Sequence, residues 1–121
     1  DRVIAVDALS AREAARLCRA VQVTDAGIVP GSGVGNARSA LTEETLGVPV
    51  VAVGVPTVVD ARTLCADLSG TEIDLPEDTE LFVTPRDIDT RVRDSARLVG
   101  YAIDLALHDA LTIEDIDMFL A

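Results

Sequence analysis

The chain has 121 residues, enough for one domain with one core, and 49% of them are apolar, which excludes a disordered tail or linker. Its net charge is −11 and its ten basic residues are all Arg. A nucleic-acid surface needs a basic face, so that class is excluded on electrostatic grounds.

Aromatic residues make up only 2%, so the core is expected to be built from Val, Leu, Ile and Ala. No apolar run is long enough to cross a membrane, and no signal peptide is expected. Cys18 and Cys65 are the only cysteines. Their wide spacing points to buried, inert thiols in a reducing compartment rather than to a metal site. The chain opens at Asp1 without Met and enters a strand almost at once, the pattern of a piece of a longer protein.

Taken in order, residues 2–6 form a short apolar run, expected as a strand buried on both faces and ending at Asp7. Ser10 to Glu13 has the spacing of a capping box, so a helix is expected from there to about Ala20, with Ala14, Leu17, Cys18 and Val21 on its apolar face. Val21 to Asp25 alternates like a strand with one buried face. A loop follows in which Gly27, Gly31, Gly33 and Gly35 lie between Asp25 and Asn36. So many glycines suit a backbone that turns through positive φ or approaches something closely.

Residues 42–46 predict a short helix stopped by Gly47. The apolar run from Val48 to Val55 is expected to be the central strand. Thr57 is the expected cap of a helix that carries Val59, Leu64 and Leu68 and stops at Gly70. Residues 71–80 read as an acidic loop, and 80–84 as a further short strand. Thr84-Pro85-Arg86-Asp87 marks the start of a long helix reaching about Ala110, with a stripe of Ile88, Val92, Ala96, Val99, Ile103 and Ala106. Thr112 and Asp115 cap a last short helix ending in Met118, Phe119 and Leu120.

This alternation predicts a single α/β domain over 1–121, with a mostly parallel sheet covered on both faces. Sites in such folds gather at the carboxyl ends of strands. Asp7, Asp25, the glycine loop and the Pro56–Asp60 segment are all expected there. Desolvation at the end of an apolar strand would raise the pKa of Asp7, and a carboxylate beside a second one can share a proton and activate water. Asp25 either joins a site or bonds amides of the glycine loop. Asp60 fits a helix cap. Ser32 lies between glycines but not in a nucleophile elbow, and His108, the only His, reads as a surface or capping residue. The loop lacks phosphate-binding spacing. Its amides remain available to cradle a substrate backbone.

Several strings together resemble the spore germination proteases, the endopeptidases that degrade small acid-soluble spore proteins. They are Val6-Asp-Ala-Leu9, Asp25-Ala-Gly-Ile28, Pro30-Gly-Ser-Gly-Val-Gly-Asn36, Glu44-Thr-Leu-Gly-Val-Pro49 and Gly54-Val-Pro-Thr-Val-Val-Asp60. Val83-Thr-Pro85 and Leu111-Thr-Ile-Glu-Asp115 are similar as well. The likeness covers essentially the whole chain and is to the family's C-terminal portion. Val29 departs from the pattern, in which His is common before the proline.

The resemblance implies a three-layer α/β/α fold similar to the hydrogenase maturation endopeptidases, without its N-terminal part. It implies an atypical aspartic peptidase, made as a zymogen, working without a cofactor in the cytoplasm of the spore core. Asp7 matches one catalytic aspartate of the pair. The other belongs to an upstream segment that this chain does not contain. Asp25, Gly31, Ser32, Gly33, Gly35 and Asn36 are then the expected substrate-binding set. The expected partners are small acid-soluble spore proteins, the upstream half of the same protein and further copies of it; no nucleic acid, membrane or metal is expected. Two other readings stand beside this one: an inactive folding or oligomerisation module, and a metal-linked relative of the maturation peptidases.

Overall fold

The structure, a computed structural model, describes residues 1–120, with side chains through Met118. The expected apolar side chains of Phe119 and Leu120 therefore lie outside the described residues. The chain divides into two compact units, Asp1–Ile88 and Asp89–Ala121.

The first unit is built on a four-stranded sheet: β1 (Val3–Ala11), β2 (Gln22–Thr24), β3 (Val50–Asp60) and β4 (Phe82–Val83). β3 is central, as its apolar run predicts, with β1 on one side and β2 and β4 on the other. β1 and β3 run parallel, in register from Val3↔Val50 to Leu9↔Pro56; the register then shifts, and pairing resumes at Ser10↔Val58. Pro56 explains the shift. It has no N–H to give to the ladder, and prolines inside sheets sit at bulges for that reason.

β2 and β4 both run antiparallel to β3. The expected mostly parallel sheet is therefore a mixed one, parallel only between β1 and β3. The reason lies in the link between β1 and β2, residues 12–21. A parallel return takes a crossover of a dozen or more residues, usually with a helix, and this link holds only a 3₁₀ turn at Ala14–Arg16.

Three helix starts differ from the sequence-based expectation, each because a long-range partner intervenes. β1 continues through Ser10 to Ala11, so Ser10 caps nothing and the expected helix is reduced to the 3₁₀ turn. That turn is anchored from afar: the Ala14 N–H donates to Asp67 Oδ2 at 2.8 Å. β3 likewise continues past Thr57 to Asp60, because β1 pairs with one of its edges at Val58 and Val59 and β4 with the other at Val59 and Asp60. The helix α2 (Ala61–Ser69) then starts one turn later than expected, with Asp60 as its cap, and ends at Gly70 as expected. The long helix begins at Ile88, later than the start expected at Thr84; the Thr84 hydroxyl donates to the Thr57 carbonyl at 2.8 Å, and the Ile88 N–H closes a turn on the Pro85 carbonyl.

The short α1 (Glu43–Leu46) forms where expected. The Thr45 N–H donates to Thr42 Oγ1 at 3.2 Å and the Thr42 N–H to Thr45 Oγ1 at 3.0 Å, a reciprocal cap. Arg62 ties the acidic loop to α2 through the carbonyls of Leu75 and Pro76.

The core is aliphatic. Val59, 0% exposed, lies between Ala11 and Val83 in the register. Ala5, Ala11, Val50, Ala52, Val53 and Val55 are buried with it. Strand alternation places Val3, Ala5, Asp7 and Leu9 on one face of β1, and Ile4, Val6 and Ala8 on the other. Val6, Val53 and Val23 form one row across β1, β3 and β2. In that row Val6 is 56% and Val23 65% exposed, so β1 is not buried on both faces as its sequence predicts.

The second unit holds α3 (Ile88–Leu107), all but its first residue, and α4 (Ile113–Leu120). α3 ends three residues before the expected Ala110. Of its predicted stripe Val99 is buried, whereas Val92 is exposed. Thr112 and Asp115 form the expected cap of α4: the Thr112 N–H donates to Asp115 Oδ2 at 2.9 Å, and the Asp115 N–H to Thr112 Oγ1 at 3.3 Å. Among the described residues no helix is long and apolar enough to cross a membrane.

Candidate functional site

Asp7 sits in the middle of β1, not at its end, and its nearest β3 neighbour in register is Gly54. Gln22 follows Gly54 on the far side, so one row crosses the sheet as Asp7, Gly54, Gln22. A Cβ at Gly54 would collide with the Leu9 side chain unless that side chain moved. Leu9 thus folds down over Gly54 beside Asp7, on the same face of the sheet.

Asp7 as a residue is half-buried, and the hydrogen bond found for its carboxylate is the one donated by the adjacent Ala8 N–H to Oδ1, at 2.9 Å. A carboxylate bonded to one local amide keeps most of its acceptor positions for another group.

The other two aspartates singled out by the sequence are placed elsewhere. Asp60 Oδ1 accepts the N–H groups of Arg62 at 2.7 Å and Thr63 at 3.4 Å, which makes Asp60 the N-cap of α2. It lies six residues beyond Gly54 on β3, roughly 20 Å along an extended strand. Asp25 is exposed and follows the carboxyl end of β2. Because β2 is antiparallel, that end lies level with the amino-terminal part of β3. The expected gathering of strand ends therefore fails for Asp25. The Ala26 amide bonds Thr24 Oγ1, at 3.1 Å.

The glycine loop returns to the carboxyl end of β1. A Cβ on Gly33 would stand 3.0 Å from both Cβ and N of Ser10, so glycine is what lets the loop lie against the strand. Gly31 and Gly35 adopt left-handed φ of 77° and 72° around the 3₁₀ turn Ser32–Val34. Much of the loop's bonding is internal. Ser32 N–H donates to the Val29 carbonyl, Val34 and Asn36 N–H to Gly31, and Gly35 N–H to Ser32. Ile28 and Leu41 close its base as an antiparallel bridge. A loop with these amides engaged shapes a cleft wall more readily than it cradles a peptide.

A cavity of about 500 Å³ opens at the carboxyl end of β1, under the link to β2. Leu9, Val21 and Pro56 form its apolar lining, and Arg12, Arg16 and Gln22 supply polar groups. None of these three polar residues stood out in the sequence. The available signal was a pair of arginines four apart just after a strand.

Neither cysteine takes part in a disulfide among the described residues, and both are half-buried. Cys18 has a positive φ of 55°, and its N–H donates to the Pro56 carbonyl at 2.7 Å. Among the described residues no three of His, Cys, Asp and Glu come together in a way that would hold a metal ion.

The sheet thus carries Asp7 at mid-strand, and the glycine loop and an open cavity at the carboxyl end of β1. The comparisons with known proteins name the family. The germination protease family model matches residues 1–74, and the chain belongs to that family. It is 37% identical to a germination protease of Clostridium tetani, across 99% of this chain and 47% of the relative. It is 60% identical to one of Bacillus pumilus over 67 residues, 55% of this chain and 18% of the relative. A germination protease of Caldanaerobacter subterraneus is 36% identical, again with 47% of the relative covered. The chain thus spans about half the length of the curated relatives it matches along its whole length.

Proposed function

We propose that this chain is the C-terminal portion of an aspartic-type endopeptidase that degrades small acid-soluble spore proteins during germination. Asp7 would be one of its two catalytic carboxylates. The observation that carries this reading is the state of Asp7: half-buried at mid-sheet, facing a glycine, and holding one hydrogen bond to its own neighbour. Membership of the germination protease family supports it independently.

In this mechanism two carboxylates share one proton. The ionised one takes a proton from water as the oxygen attacks the peptide carbonyl, and the protonated one gives its proton to the leaving nitrogen. The in-register neighbours of Asp7 are Gly54 and Gln22, so the second carboxylate is assigned to the rest of the longer protein, in a three-layer fold of the hydrogenase maturation peptidase type. Gly31, Ser32, Gly33, Gly35 and Asn36 would form one wall of the substrate cleft, with Asp25 at the loop's far end. The setting would be the spore cytoplasm.

Complementation tests the proposal. This chain is expressed with the remaining half of the full-length protein, and a small acid-soluble spore protein is added. Cleavage at internal bonds by the mixture, and not by either half alone, is the expected result. Folded halves that associate and cleave nothing would contradict it.

One observation favours a second reading. The exposed apolar row of Val6 and Val23 suits a folding or oligomerisation module with no activity of its own. That module would still associate in the same experiment, without cleavage.

A further inference from the structure

One row of the sheet sets two polar side chains on either side of a glycine. Asp7, Gly54 and Gln22 are in register across β1, β3 and β2, and in-register residues of neighbouring strands share a face. Two strand spacings leave roughly 10 Å between the Cα positions of Asp7 and Gln22. Gly54 puts no side chain between them, and the Leu9 side chain takes that place. The row is therefore a carboxylate, an apolar floor and a carboxamide.

Gln22 is exposed and borders the open cavity together with Leu9 and Pro56. Among the described residues no hydrogen bond is found for its side-chain amide, so both of its N–H donors are available to a bound molecule. It is also uncharged. A guanidinium in this row would favour the ionised form of Asp7, whereas a carboxamide polarises a carbonyl and leaves Asp7 able to exchange a proton. Backbone donors are scarce nearby. In the glycine loop the N–H groups of Ser32, Val34, Gly35 and Asn36 are taken by the loop's own carbonyls.

Hydrolysis of a peptide by two carboxylates provides for the protons and leaves one charge to be met. As the water oxygen bonds to the carbonyl carbon, its proton passes to the ionised carboxylate and the C=O π electrons move onto the carbonyl oxygen. That oxyanion collapses back to a carbonyl when the C–N bond breaks and the nitrogen takes the proton of the second carboxyl. A donor aimed at the oxyanion stabilises the state between. A peptide group lying across Leu9, with its carbon near Asp7, can turn its oxygen toward Gln22.

We propose that Gln22 is a further catalytic residue, whose side-chain N–H donates to the carbonyl oxygen of the bond being cut and holds its developing negative charge. The proposal rests on the endopeptidase reading and adds to it the group that polarises the carbonyl.

Full-length wild type, Gln22→Met and Gln22→Glu are compared on a small acid-soluble spore protein by steady-state kinetics, with melting temperature measured beside them. Met keeps the length of the side chain and gives no donor. Glu keeps its shape, and its carboxylate accepts where the amide donated. Both variants are expected to melt like the wild type and to lose about 10²–10³-fold in kcat, the usual worth of one donor to an oxyanion. KM should change little, because the charge exists only in the transition state. A variant that melts early is assayed below its transition, where the same criterion holds. A rise in KM at unchanged kcat would make Gln22 a residue of ground-state binding and overturns the proposal, as does a wild-type kcat in either folded variant. Those outcomes leave the endopeptidase reading standing. A wild type that cleaves nothing overturns that reading, and the role of Gln22 falls with it.

Discussion

Asp7 and Asp60 lie on neighbouring strands of one sheet and follow similar apolar runs, yet the fold uses them differently. Asp60 stands where β3 ends and α2 begins, and one carboxylate oxygen takes two backbone N–H groups that the helix would otherwise leave without a partner. Asp7 stands inside a strand whose backbone already pairs with β3, and its carboxylate holds a single bond to the amide of the next residue. The difference teaches that a carboxylate's role is read from how many of its acceptor positions the fold has already filled. The first residue is committed to structure, and the second has capacity left for chemistry.

Substitution of each residue sharpens that contrast. Asp7→Asn in the full-length protein should lower kcat/KM by about 10²–10⁴-fold, the usual worth of a general acid or base, with little change in melting temperature. Steady-state kinetics beside thermal denaturation checks both halves of the statement. Gly54→Ala attacks the neighbourhood of Asp7 through packing. Its new Cβ must displace Leu9, and overpacking of this kind costs about 1–3 kcal/mol, measurable by urea denaturation. A cost near zero would show that Leu9 can move aside and does not hold the site.

Asp60→Ala should cost about 1 kcal/mol through loss of the helix cap, and cleavage at temperatures below the transition should be unaffected. A large loss of activity at full folding would break the comparison, because Asp60 would then belong to the chemistry as well. The smallest effect concerns Glu44, in the first turn of α1. Backbone hydrogen bonding foremost, and Thr42 next, hold its carboxyl below the ordinary value of 4.5, against a slight opposing effect of burial. A depressed value means that the folded state favours the ionised form. Its contribution is therefore present above pH 4.5 and fades as the pH falls through the lower, folded value. Glu44→Gln should slightly flatten the acid limb of the stability curve and leave neutral pH unchanged, as followed by circular dichroism.

The sequence displayed those parts of the fold that local chemistry decides. Thr42 with Gly47, the Gly70 stop of α2 and the Thr112–Asp115 cap of α4 are set by residues within one turn of each other. The central position of β3 was visible in its apolar run, the longest in the chain. What was not visible depends on partners far away in the chain. Ser10 to Glu13 has a helix-start spacing, but β3 holds Ser10 in the sheet, and the turn that follows is capped by Asp67, 53 residues on. Thr57 and Thr84 each look like a helix cap, and in the fold the hydroxyl of Thr84 bonds the carbonyl of Thr57.

The candidate site was legible in the same uneven way. Asp7 stood out because a charge interrupts apolar residues, and the glycine loop because of its composition. Its approach to Ser10 through Gly33 could not be read, nor could the displacement of Asp25 by the antiparallel β2. Arg12 and Arg16 gave no signal as exposed charges, since only the folded link from β1 to β2 brings them to one cavity.

The central claim is that Asp7 serves chemistry while Asp60 serves structure, and one paired measurement tests it most directly. Full-length wild type, Asp7→Asn and Asp60→Asn are compared on a small acid-soluble spore protein, with products followed by mass spectrometry and folding by thermal denaturation. The account predicts that Asp7→Asn melts like the wild type and leaves the substrate intact, and that Asp60→Asn cleaves it. An Asp7→Asn protein that is folded and cleaves at the wild-type rate would contradict it.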